Sequence, residues 1–67
     1  VQVLDRGEPF EVFPSMKDAV RELLEGYTFA EIERRFRLVD DGGVWVAKWV
    51  RRTVGGRELS HVEWMRG

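Results

Sequence analysis

Few side chains in this chain could do chemistry, and they lie apart from one another. His61 is the single histidine, and Glu63 follows two residues later, on the same face of an extended segment. One histidine and one carboxylate fall short of an ordinary transition-metal site, and there is no cysteine to complete it. Asp40-Asp41 lacks the ligand spacing and distal Glu of a calcium loop, and turn chemistry accounts for the pair. Ser15 and Ser60 have no nucleophile-elbow context. Gly42-Gly43 and Gly55-Gly56 lack the strand–loop–helix frame of a phosphate cradle. Glu22 and Glu25 belong on a solvated helix face. Nucleophile, base and metal constellations are all missing, so a non-catalytic chain without metal or cofactor is expected.

The remaining chemistry is that of binding. Net charge is −1, but it is unevenly spread. Residues 1–33 carry eight acids and three bases; residues 34–67 carry eight bases and four acids. Gly42–Arg57 holds four bases, Lys48, Arg51, Arg52 and Arg57, and no acid. A basic run of this kind can neutralise phosphates, and these four are the candidate nucleic-acid contacts. The alternative is that the two halves neutralise each other within one fold.

Those bases must be positioned by strands. Val44–Val54 is rich in Val and Trp, and Gly55-Gly56 is a two-residue hairpin turn signal. Such a turn sets Trp49 opposite Val62, Ala47 opposite Trp64 and Lys48 opposite Glu63. A loop at Asp40–Gly43 sets Leu38 opposite Trp45 and Phe36 opposite Ala47. Three strands then agree on one apolar face, with Trp49 at its centre. Trp45 and Trp49 also stand at the i, i+4 spacing of a helix, but valines at 44, 46, 50 and 54 and the flanking glycine pairs favour strand. The opposite face mixes Val46, Val50, His61 and Met65 with Lys48, Arg52 and Arg57, as partner-contacting faces do. Val46, Val50, His61 and Met65 are therefore candidate contacts to a protein partner or a second copy. Arg51 falls on the Trp face, from which its guanidinium can reach water.

Upstream, Val1–Phe13 reads as a β-hairpin. A turn at Arg6-Gly7 would pair Val3 with Phe10 and Val1 with Val12, with Pro9 where no ladder donor is needed. Ser15 is a helix N-cap, with Asp18 as its capping partner. Met16, Ala19, Val20, Leu23 and Leu24 follow at helical spacing, and Gly26 offers a left-handed stop. Thr28 and Glu31 form a capping box for a second helix with the apolar stripe Phe29, Ile32 and Phe36.

The run from Glu22 to Phe36, Glu-Leu-Leu-Glu-Gly-Tyr-Thr-Phe-Ala-Glu-Ile-Glu-Arg-Arg-Phe, resembles the front half of helix-turn-helix DNA-binding domains. In that family a Leu-Leu-x-Gly-Tyr-Thr-x-x-Glu-Ile run joins the first helix to the second. The resemblance covers about fifteen residues and implies a DNA-contacting role. After it, Arg37–Gly43 leads to the strand-like Trp/Val run, where the family has a recognition helix.

Length limits the rest. Sixty-seven residues make one small domain, 1–67, and a chain this short buries only about 60% of its unfolded surface. Three Trp, four Phe and one Tyr enlarge the core, and self-association is a common further remedy. Absence of cysteine fits a cytoplasmic setting, and Val in place of Met at position 1 fits a trimmed chain or a fragment. The longest apolar run, Val44–Ala47, is too short to cross a membrane as a helix. The expected fold is α+β: an N-terminal β-hairpin, a two-helix hairpin and a C-terminal three-stranded antiparallel meander packed on the helices. The expected function is a small non-catalytic binding or regulatory domain that contacts nucleic acid through the basic hairpin. The alternative is a protein–protein module, an inhibitor or adaptor of the phage-like kind, forming a homodimer through the outer hairpin face.

Overall fold

A computed structural model describes residues 1–67. Its elements are β1 (Gln2–Asp5), β2 (Glu8–Val12), α1 (Met16–Gly26), α2 (Phe29–Arg35), β3 (Phe36–Asp40), β4 (Gly43–Val54) and β5 (Arg57–Arg66). The fold is α+β, and the strands form one antiparallel sheet in the order β2-β1-β3-β4-β5. The N-terminal hairpin and the C-terminal meander are thus joined, because β1 pairs with β3 from Gln2↔Val39 to Asp5↔Phe36.

Turn chemistry sets the meander. Gly55 and Gly56 have φ of 57° and 77°, the left-handed pair that a two-residue hairpin turn requires. That turn gives Val54↔Arg57 and, in unbroken register, Lys48↔Glu63, Trp49↔Val62 and Ala47↔Trp64, as expected. Asp41-Gly42 is a second two-residue turn, tighter than the expected four-residue loop but with the same register, Leu38↔Trp45. Asp40 Oδ1 holds it by accepting from the Gly42 amide at 2.8 Å and from Trp45 Nε1 at 3.0 Å. These bonds keep the Asp40 carboxyl below its ordinary pKa.

The N-terminal hairpin departs from its expected register. Arg6 and Gly7 do form the turn, at φ of 54° and 85°, and Asp5 faces Glu8. A bulge between Val3 and Leu4 then shifts the ladder, so that Val3 faces Glu11 rather than Phe10, and Val12 faces Gln2 rather than Val1. The Phe10 ring instead packs edge-on against Phe36, with centroids 5.5 Å apart. Pro9 lies on β2, an edge strand, where a missing donor is tolerated.

Both helices are capped as their sequences specify. Ser15 Oγ accepts from the Asp18 amide, and Thr28 with Glu31 completes the reciprocal capping box. Gly26 does not supply a left-handed stop. It is the last helical residue, and the chain leaves through extended Tyr27, whose amide donates to the Leu23 carbonyl at 3.0 Å. α2 runs directly into β3 at Phe36. Its exit is fixed by Arg35, which donates to both Asp5 carboxylate oxygens at 3.2 and 2.8 Å, while the Arg6 amide donates to the Arg35 carbonyl. The pairing lowers the Asp5 pKa and raises that of Arg35.

The core lies nearer the sheet's centre than the tryptophans suggest. Val3, Ala19, Leu23, Ile32, Phe36, Leu38 and Ala47 are its buried residues. Trp45 and Trp64 flank it half-buried, while Leu24 is exposed on α1. Trp49, expected at the centre, sits at the rim in an edge-on contact with Phe29 (centroids 6.3 Å apart). The reason is topological. Docking of β1 makes β3 the middle strand of the sheet, and the short α2 packs mainly on β4, reaching Trp49 with Phe29 and Glu33 but not the strand's far end.

Candidate functional site

The helices cover one face of the sheet and leave the other open. β3 pairs with β4 only as far as Val46, so the rest of β4 and its partner β5 extend as an arm. Every residue from Arg51 to Ser60 is exposed, and the molecule measures 40 × 23 × 19 Å. The arm is held in shape by the hairpin ladder, with little packing beneath its tip.

Cross-strand pairing decides which candidate residues meet. On the open face the pairs run Val46↔Met65, Lys48↔Glu63, Val50↔His61, Arg52↔Leu59 and Val54↔Arg57. The four candidate partner contacts, Val46, Val50, His61 and Met65, therefore form two pairs separated by Lys48 and Glu63. Val54, Leu59 and Met65 are each about half exposed on this face.

The four basic candidates do not form one cluster. Lys48, Arg52 and Arg57 share the open face, whereas Arg51 lies on the other, its guanidinium 4.6 Å from the Trp49 ring centroid and 3.9 Å from Glu58. Lys48 faces Glu63 across the ladder without forming an ion pair with it. Glu63 instead accepts from His61 Nε2 at 2.9 Å and lies 3.5 Å from Arg52. The His61 hydrogen bond, with help from Arg52, keeps the Glu63 carboxyl below its ordinary pKa. Lys48 and Arg57 have no acidic partner and are the free charges of this face. Arg37, also on an open-face position, has its guanidinium tied to the carbonyls of Glu33 and Phe36.

Glu33 makes a contact beside this arm that the sequence did not reveal. Its carboxylate accepts from the Trp49 amide at 2.8 Å, on the side of β4 that has no strand partner. A glutamate on a solvated helix face carries no local signal for this role. Two indole N–H groups, those of Trp49 and Trp64, are shielded from water and have no acceptor within the chain. No enclosed pocket is present, no three His, Asp or Glu side chains gather at metal-binding distance, and no helix is long and apolar enough to cross a membrane. No family model, curated protein or solved structure matches the chain.

Proposed function

We propose that this chain is a small non-catalytic binding domain that contacts a nucleic acid through the open face of the β4–β5 arm. The carrying observation is the charge on that face. Lys48, Arg52 and Arg57 stand against the single acid Glu63, on a hairpin free of the body. Such a hairpin can enter a groove or track a phosphate backbone. All three tryptophans lie on the opposite face, so the arm offers no aromatic platform for unpaired bases. The ligand class is therefore a duplex held through its phosphates.

The test is a binding titration with duplex DNA and duplex RNA at two salt concentrations. Affinity should fall steeply with salt, and replacing Arg52 and Arg57 with Ala should lower the slope by about 0.9 for each duplex phosphate no longer neutralised. The preferred sequence should not change, because phosphate contacts position rather than specify. Absence of affinity at low salt refutes this reading. A second reading, a protein-binding module, is favoured by the contact of Arg52 with Glu63, which offsets one of the three basic charges of that face, and by its apolar positions Val46, Val50 and Met65. Association with such a partner would be nearly indifferent to salt.

A further inference from the structure

The sheet presents three open edges, and only two carry a device against further pairing. On β2 the edge is interrupted by Pro9 and by the bulge opposite Val3 and Leu4. On β4 the unpaired side is stopped where Glu33 takes the Trp49 amide. The edge of β5 has neither. It is ten residues long, pairs with β4 without a bulge, and contains no Pro or Lys. Natural sheets blunt such edges unless the edge is used.

The direction of its backbone groups follows from two contacts. The Gly67 amide donates to the Val44 carbonyl, so even-numbered residues of β4 bond toward β5. The Trp49 amide points the other way, to Glu33. With Val54↔Arg57 closing the turn, odd-numbered residues of β5 bond to β4, and Glu58, Ser60, Val62, Trp64 and Arg66 direct their amides and carbonyls outward.

We propose that two copies of the chain pair antiparallel through these β5 edges, about a two-fold axis at Val62, to form one continuous sheet. The occupant is fixed by charge complementarity. A two-fold perpendicular to the sheet leaves the helices of both copies on one side and passes midway between the two copies of one residue. Centred on Val62, it sets Glu58 opposite Arg66, His61 opposite Glu63, and Leu59 opposite Met65, each pair occurring twice. Ser60 of the second copy then stands opposite Trp64, a small side chain beside a large one. Centring on His61 would oppose it to itself and Leu59 to Glu63; centring on Glu63 would oppose two carboxylates. The register at Val62 also uses every outward group of the strand, giving about ten backbone hydrogen bonds. This pairing does not depend on the nucleic-acid reading, and it leaves both open faces on the same side of the dimer.

Sedimentation equilibrium of the full chain, without nucleic acid, tests it. A concentration-dependent dimer is expected, at low and high salt alike, since backbone bonds supply most of the contact. Glu58→Arg and Arg66→Glu should each weaken the dimer about tenfold, by opposing like charges twice. The double variant E58R/R66E should restore it, which only this register explains. Ser60→Pro removes an outward amide that β4 does not use, and should abolish the dimer while the cooperative thermal transition persists. A chain that stays monomeric into the millimolar range overturns the proposal. So does a dimer that both single charge variants leave unchanged, or that the double variant fails to restore.

Discussion

Replacing Leu38 with Ala should cost the domain far more than replacing Trp49 with Ala, although Trp49 is the larger residue. Leu38 is fully buried on β3, between Val3 on β1 and Trp45 on β4. Truncating such a residue costs about 2–5 kcal/mol, from lost transfer energy and the cavity left behind. A domain of this size has roughly 3–10 kcal/mol in total. Trp49 is half-buried at the rim, where it has an edge-on contact with Phe29 and lies under the Arg51 guanidinium. Those contacts contribute about 0.5–1.5 and 0.5–1 kcal/mol respectively. Its removal also relieves an indole N–H without an acceptor, which offsets about 1 kcal/mol or more. The net loss is about 1–2 kcal/mol once partial burial is added. At roughly 4–8 °C per kcal/mol, Trp49→Ala should lower Tm by about 5–15 °C and keep a cooperative transition. Leu38→Ala should lower Tm by about 8–40 °C, and abolish the transition at the upper end of that range. Thermal unfolding followed by far-ultraviolet circular dichroism, at one concentration for all variants, makes the comparison. A Trp49→Ala loss equal to or larger than that of Leu38→Ala would refute the placement of the core.

Thr28→Ala should remove the N-cap of α2 and destabilise the domain by about 1 kcal/mol, read from urea unfolding. Asp5, Glu31, Asp40 and Glu63 all have folded pKa values below their ordinary ones, held there by Arg35, by Thr28, by Trp45 with Gly42, and by His61. The unfolded chain therefore binds more protons in acid. Stability should be complete above the ordinary carboxylate range and fall as pH drops through the depressed values, and a Tm that rises on acidification would contradict this. Glu33→Ala should expose the Trp49 amide and the adjoining edge of β4, increasing light scattering on warming while leaving far-ultraviolet dichroism at low temperature unchanged. Gly55→Asn should be tolerated at φ of 57°, whereas Gly55→Val should lower Tm, because a β-branched residue is strained there.

The meander and the caps were legible because their information is local. A two-residue glycine turn sets the register of all that follows it, so the pairs Lys48↔Glu63 and Val50↔His61 could be read from spacing. Thr28 and Glu31 lie one helical turn apart and announce their helix in the same way. The candidate binding face was legible to the same extent: which residues share a side followed from strand alternation. Which of them are neutralised did not. Glu63 had a plausible partner in Lys48, and the fold gave it His61 and Arg52 instead, because side-chain reach along the strand decides among several bases within a few ångströms.

By itself, then, the sequence determined the elements, three of the four strand pairings in outline, and the mixed character of one hairpin face. Tertiary structure alone decided that β1 joins β3, with a bulge that turns Phe10 toward Phe36, and that Trp49 lies at the rim. It also decided that Glu33 seals one edge of β4 while β5 stays open. The physical reason is separation along the chain. Turns, caps and alternation act between residues a few positions apart, where the backbone itself limits the choices. The β1–β3 pairing, by contrast, closes a loop of more than thirty residues around two helices, and the Glu33–Trp49 bond spans sixteen. At those distances the outcome depends on which packing buries the most apolar surface, a property of the whole chain rather than of any segment.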